Sequence, residues 1–288
     1  RQFEYGQCWE EAGDCLASLG DRNRAATNYS RAGLVERVEQ VLAQQEQDRD
    51  RRRREDDLFK DYELLVQGGQ RDEALEAIRR CVDVADHKGD LRRLRDRLDE
   101  RILRGWRVEL QLPGERRLVL VGRFPLWLGR EEDCDIRVRG PSVSRRHARI
   151  LDDGAGGFTV EDAGSHNGTL LNGLRIGAPM PLTGEGTLAL GNACALEFHV
   201  DPEPPRLRLS VATGLDKGQL AFAGTGPFEL PRLVDGAPPL VVTFDDGRPM
   251  ARAGEGTLRL GGARTAGSVQ LIRGDRLRLG EQRVKVSG

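Results

Sequence analysis

Two hydrophobic periods divide the chain. Up to about residue 104, apolar residues recur three and four apart, as in Leu34, Val35, Val38, Val41 and Leu42, and again in Leu91, Leu94, Leu98 and Ile102. That spacing predicts amphipathic helices, and no proline interrupts them before Pro113. From Trp106 onward the chain alternates in short runs, "RLVLV", "DIRVR", "HARIL", "FTVED", "TLALG" and "ALEFHV", separated by glycine and aspartate. These runs predict short antiparallel strands with turns between them. "DPEPPR", Asp201 to Arg206, reads as a stiff linker, after which strands resume. The expected fold is multidomain: an all-α helical-repeat segment over 1–104, then two all-β sandwiches over 105–201 and 206–288.

Within the helical segment, "WEEAGDCLASLGDRNRAATNYSRA" resembles a tetratricopeptide unit, with Trp9, Gly13, Leu16, Gly20, Ala25, Tyr29 and Ala32 at the spacings of a helical hairpin. Gly13 and Ala25 are small enough to let two helices approach, while Trp9, Leu16 and Tyr29 fill the space around them. Gly69, Ala74, Ile78 and Cys81 repeat the second half of that pattern, although Tyr62 stands where a small residue is expected. Such a segment is a candidate surface for another protein. Between the two hairpins, "EQDRDRRRREDD" carries four successive arginines flanked by acids at helical spacing, so it reads as a solvated, self-paired helix face.

The densest chemistry lies in "GPSVSRRHARI", Gly140 to Ile150, which sets serines, arginines and a histidine directly before a strand. "LWLGR" precedes it and "DAGSHNGTLLNG" follows. Loops at one end of a sandwich present function, and these are the donors a phosphate needs. Arg130 offers a planar fork of N–H groups, Ser144 a short hydroxyl, and Arg145 a second positive charge. Asn167 has both a donor and an acceptor and suits the main chain of an extended peptide. Gly168 and Gly173 permit turns with positive φ. His147 opens an alternating strand, so its ring is expected to point inward and tie loops together. No acid or G-x-S-x-G turn accompanies it as a hydrolase would require.

With G-R, then S-x-x-H, then N-G-T and N-G in that order, residues 105–201 resemble the forkhead-associated (FHA) domain. The resemblance implies that Arg130, Ser144 and Arg145, beside a conformation-setting Gly129, contact the phosphate of a phosphothreonine, and that Asn167 holds the peptide main chain. His166 stands where many members have threonine, where an imidazole either adds a charge-assisted donor to the phosphate or crowds the pocket. Asn172 and the loop after it, with Ser142, stand where the family reads the residue three past the phosphothreonine. Arg175 is a candidate for preferring an acid there.

The third segment repeats the second. "PFELPR" aligns with "PLWLGR" at a shift of 102, "LVVTFDDG" with "HARILDDG" at 93, and "GTLRLGG" with "GTLLNGL" at 88. Through these shifts Arg130 becomes Arg232, but Ser144 becomes Ala237, His147 becomes Leu240 and Asn167 becomes Glu255. Lost donors and an added negative charge disfavour phosphate, so this copy is expected to be degenerate, a packing or partner surface.

Composition narrows the alternatives. Lysine plus arginine (45) nearly balance aspartate plus glutamate (46), so the global basic field of a nucleic-acid binder is missing. No run of about 18 apolar residues exists to span a membrane. Five scattered cysteines without a C-x-x-C pair argue against a disulfide framework or zinc site and point to the cytoplasm; Cys8 and Cys15 are expected to be buried thiols. No metal, cofactor or catalytic residue is expected, because no nucleophile–base pair or phosphate loop with lysine occurs. The Arg-, Gly- and Ala-rich composition suggests a bacterial source, and an opening at Arg1 suggests a piece of a longer protein. The expected function is a non-catalytic adaptor or scaffold that docks a phosphothreonine-containing protein marked by a Ser/Thr kinase, in trans or within the same chain. The rivals are a fragment of a transcription regulator that joins such helices to an FHA domain, and an FHA domain used as a phosphate-independent protein interface.

Overall fold

The computed structural model describes residues 8–192, 194–265 and 267–288. The chain forms two compact units, one from residues up to Leu64 with Glu73–Arg97, the other from Leu65–Asp72 with Leu98–Gly288.

In the first unit, helices α1 (Trp9–Ser18) and α2 (Arg22–Arg31) make a hairpin. Asp21 caps α2 by accepting from the Arg24 N–H at 3.2 Å. The Tyr29 ring lies against Gly13, where any Cβ would overlap it, and its hydroxyl donates to Asp14 at 2.7 Å. Tyr29 and Ala25 are buried, whereas Trp9 and Leu16 sit half-buried at the margin. Cys8 and Cys15, expected to be buried, are both exposed. The physical reason is that Tyr29 covers the face of α1 that holds Ala12 and Gly13, and Cys15 lies off that face.

The arginine run sits, as its spacing predicts, on a helix, the continuous α3 (Val35–Gly68). Arg51 pairs with Asp48 at 2.8 Å and with Asp86 at 2.5 Å, while Arg52, Arg53 and Arg54 are exposed. Helices α4 (Arg71–Val84) and α5 (Gly89–Asp99) follow; Ala74, Ile78 and Cys81 on α4 are fully buried.

The second unit is built from strands β1 (Arg107–Gln111), β2 (Arg117–Val121), β3 (Leu126–Gly129), β4 (Ile136–Arg137), β5 (Ala148–Asp152), β6 (Phe158–Asp162), β7 (Thr169–Leu171), β8 (Leu174–Arg175), β9 (Met180–Leu182), β10 (Glu185–Leu190) and β11 (Cys194–Pro202). The repeat supplies β12 (Pro205–Val211), β13 (Leu220–Gly224), β14 (Phe228–Glu229), β15 (Leu240–Asp245), β16 (Arg248–Ala253), β17 (Leu258–Leu260), β18 (Ala263–Arg264), β19 (Val269–Gln270), β20 (Arg276–Leu279) and β21 (Gln282–Val286). Each strand of the first copy has a counterpart in the second, except that the short helix α6 (Leu230–Leu233) follows β14 and no strand corresponds to β4.

The two copies exchange their first hairpins. One twelve-stranded sheet runs β18-β17-β20-β21-β1-β2-β13-β12-β11-β10-β7-β8, with β4-β3-β5-β6-β9 and β14-β15-β16-β19 as separate smaller sheets. At its centre β2 and β13 lie parallel, Val119 beside Ala221 and Leu120 beside Phe222. Alternation sends Val119, Val121, Ala221 and Ala223 into the first core, with Leu126, Leu128, Ile150 and Phe158. The opposite faces send Leu118, Leu120 and Phe222 into the second core, with Val108, Leu110, Leu240 and Val284. The hairpin β12–β13 therefore completes the first sandwich and β1–β2 the second. "DPEPPR" is not a linker: Asp201 pairs with Arg206 and Pro202 with Pro205, so it is the turn between β11 and β12. Core strands continue on both sides of it, leaving no free span.

Candidate functional site

Gly129, at the end of β3, lets the chain pass directly under the loop before β5; a Cβ there would overlap the Arg145 carbonyl oxygen. The Arg130 N–H donates to the Ser144 carbonyl at 3.1 Å and the Glu131 N–H to that of Arg145 at 3.2 Å. Cys134 lies buried beneath. Burial, with Asp133 beside it, pushes its thiol up to about 11, so it stays neutral and faces the Arg145 carbonyl at 3.3 Å. Val143, fully inside the first core, anchors the middle of the same loop.

His147 joins this loop to the next one. It is completely buried. Its Nδ1 accepts from the Ser144 backbone N–H at 3.0 Å, which places the ring proton on Nε2, 3.1 Å from the Gly168 carbonyl oxygen. Burial lowers its pKa, opposed by the Gly168 hydrogen bond. The Ser144 hydroxyl does not face His147; its oxygen accepts from the His166 N–H at 3.0 Å. Ser144 and His147 thus do not form a hydrolytic pair, and the histidine is a structural tie.

The loop between β6 and β7 closes around Asp162, whose carboxylate the sequence reading did not single out. It accepts from the N–H groups of Gly164 and Ser165 and, at 2.6 Å, from the hydroxyls of Ser165 and Thr169. Burial raises its pKa, but the bonds from Ser165 and Thr169 outweigh that and leave it below the ordinary carboxylate value. The run Asp-x-Gly-Ser is the signal that could have marked it as a turn centre. This turn presents His166 and Asn167, and the Asn167 Nδ2 donates to the Ser142 carbonyl at 2.8 Å. Gly168 has φ 81° and lies against the Arg175 guanidinium, which reaches over from β8.

Arg130, Arg145 and His166 are exposed, and Ser142, Ser144 and Asn167 half-buried, on loops that these bonds bring together. Neither Arg130 nor Arg145 has a carboxylate partner among the described residues. Their neighbour Arg146 pairs with Asp133 and lies 5.2 Å from the Trp127 ring centroid. Asn172 also has a place in the fold. With Gly173 it forms the positive-φ turn between β7 and β8, and its Oδ1 accepts from the Thr187 N–H at 2.8 Å. Its acceptor is committed to the fold.

The exchanged hairpin reaches this site. Asp216, in the turn between β12 and β13, is almost fully buried and accepts from the Arg139 backbone N–H at 2.6 Å and from its guanidinium at 2.9 and 2.6 Å. Arg139 opens the loop that carries Ser142, Ser144 and Arg145.

In the copy, Arg232 sits on α6, paired with Glu229 at 2.8 Å, Ala237 and Leu240 are buried in the second core, and Glu255 is exposed. No equivalent donor cluster exists there among the described residues.

A family model, that of the FHA domain, matches residues 126–191. This part of the chain is an FHA domain. FHA domains are non-catalytic interaction domains that bind phosphothreonine peptides in signalling. The match begins at β3, so the exchanged hairpin β1–β2 lies outside it. Among solved structures, the chain is similar to the FHA domain of CT664 from Chlamydia trachomatis, with 28% identity over 30% of this chain and 89% of that one (TM-score 0.25). It is also similar to the FhaA FHA domain complexed with the intracellular domain of Rv3910, with 31% identity over 29% and 91% (TM-score 0.24). Mycobacterium tuberculosis EmbR in complex with a low affinity phosphopeptide shares 18% identity over 64% and 67% (TM-score 0.24). None of the curated proteins matches this chain. Among the described residues, no helix is long and apolar enough to cross a membrane, and no group of three or more His, Cys, Asp or Glu could hold a metal ion.

Proposed function

We propose that this FHA domain docks a phosphothreonine-containing protein, and that the chain acts as an adaptor or scaffold in Ser/Thr kinase signalling in the cytoplasm. The observation that carries the reading is the contrast between neighbouring arginines. Arg146 is neutralised by Asp133, whereas Arg130 and Arg145 stay exposed without a carboxylate, on either side of Ser144. Two guanidinium groups and a hydroxyl on converging loops suit a doubly charged phosphate with three acceptor oxygens. His166 adds its side chain to that rim, Asn167 holds the peptide main chain, Asn172 and Ser142 help read the residue three past the phosphothreonine, and Arg175, held against Gly168, favours an acidic residue there.

Each charge-assisted bond contributes about 1.5–3 kcal/mol, which after the ordering cost of a short peptide corresponds to micromolar affinity. The test is titration of a phosphothreonine peptide library against the full chain, with Arg130→Ala and Ser144→Ala alongside. Selective binding that drops at least about tenfold in each variant supports the proposal. Binding that ignores the phosphate and both substitutions would make this domain a phosphate-independent interface instead.

A further inference from the structure

We infer that the exposed face of the twelve-stranded sheet across β18, β17, β20, β21, β1 and the start of β2 is a docking surface for an extended, carboxylate-rich segment of a partner protein. The pairing registers align its side chains in two rows. In the first, Arg264, Arg259, Arg278 and Arg283 stand directly opposite one another across four strands. In the second, Arg276, Lys285, Gln111 and Arg117 do the same across β20, β21, β1 and β2. The seven cations are all exposed, and none makes an ion pair among the described residues. Arg278 spends its Nε on the Gly280 carbonyl, 2.9 Å away. The nearest acid on the same face of β1, Glu109, is held by Arg107 at 3.0 Å.

Like charges placed directly opposite on a sheet destabilise it. The fold itself does not require them. On the corresponding face of the first sandwich, Glu185 and Glu197 alternate with His199, Arg208 and Ser210. Two rows whose charges are all of one sign, which cost stability and make no ion pair among the described residues, fit an external anion.

The geometry favours a peptide. Neighbouring strands are about 4.8 Å apart, so each row spans about 14 Å, and the rows, two residues apart, are separated by about 7 Å. Alternate side chains of an extended peptide are separated by that same distance, and guanidinium forks match carboxylates in bidentate fashion. No aromatic side chain stands on these rows to stack a base, and a net charge of −1 gives the chain no long-range field to gather a polynucleotide. The surface is separate from the phosphate site and does not depend on the function proposed above.

The test uses the full chain and a fluorescein-labelled peptide of about ten residues alternating Glu and Ser, with a Gln-for-Glu control peptide. The acidic peptide is expected to bind with salt-sensitive affinity and the control not to. Arg278→Glu is expected to weaken binding by at least about tenfold while raising the melting temperature by about 2 °C, because it relieves repulsion from Arg259 and Arg283. Ser144→Ala is expected to leave this binding unchanged. The proposal is overturned if the acidic peptide does not bind at low salt, if Arg278→Glu binds it as well as the parent, or if duplex DNA of equal charge displaces it at lower concentration.

Discussion

Asp216 and Arg139 lie 77 positions apart in the chain, yet one carboxylate takes both the backbone N–H and the guanidinium of the other residue. The first residue comes from the second copy in the sequence, the second from the loop that carries Ser144 and Arg145. A hairpin that follows the first copy in sequence but completes its sandwich in space thus holds the loop before β5 in place. It does so because the first hairpins are exchanged.

Replacing Asp216 by Ala removes the acceptor for that backbone N–H and frees the loop. Phosphopeptide affinity is expected to fall by about tenfold, the scale of one charge-assisted hydrogen bond, although Asp216 touches no ligand. Asp216→Asn, which keeps an acceptor oxygen, is expected to recover part of the loss. Isothermal titration on the full chain checks both, and equal affinity in the parent and Asp216→Ala would remove the hairpin from the account of binding.

His147 predicts a pH dependence of stability. Its folded pKa lies below the ordinary 6.5 because the ring is buried. The unfolded chain therefore takes the proton more readily, so the His147 contribution is complete above pH 6.5 and is lost as pH falls from there toward the lowered value. Protonation would also remove the Nδ1 acceptor from the Ser144 N–H. Nitrogen NMR of the ring is expected to show the Nε2–H tautomer persisting below pH 6.5, with urea midpoints falling over the same range. A His147 that is half-protonated at or above pH 6.5 would contradict this.

Gly129→Ala is expected to destabilise the protein by about 2–4 kcal/mol, as overpacking against backbone does. The new methyl meets the Arg145 carbonyl, and the Cys134 Sγ stands 2.9 Å away. Since the obstruction is main chain, the loop must shift, and phosphopeptide binding should weaken along with stability. Urea denaturation measures the first effect and titration the second.

Much of the site was legible because hydrogen-bonding chemistry is local. "SVSRRHARI" placed His147 on the inward face of an alternating strand, and it is fully buried there. The bond between Asn172 and Thr187 was not legible in the same way. A turn asparagine shows in sequence that it can take a positive φ, whereas its bond to Thr187 depends on the approach of β10. The exposure of Cys8 and Cys15 was hidden for a similar reason: helical period groups residues on a face, but not which face the neighbouring helix covers.

By itself the sequence determined the change from helix to strand near residue 105, the repeat, and the order of donors along three loops, since each follows from local period and side-chain chemistry. Tertiary structure decided which hairpin joins which sandwich. The alternation of period two fixes the face a side chain takes, not the strand that lies beside it. "LVLV" in β2 and "AFA" in β13 are apolar on both faces, a mark of strands buried on both sides. Such a strand satisfies either core equally by pattern, so the choice rests on long-range contacts such as that between Asp216 and Arg139.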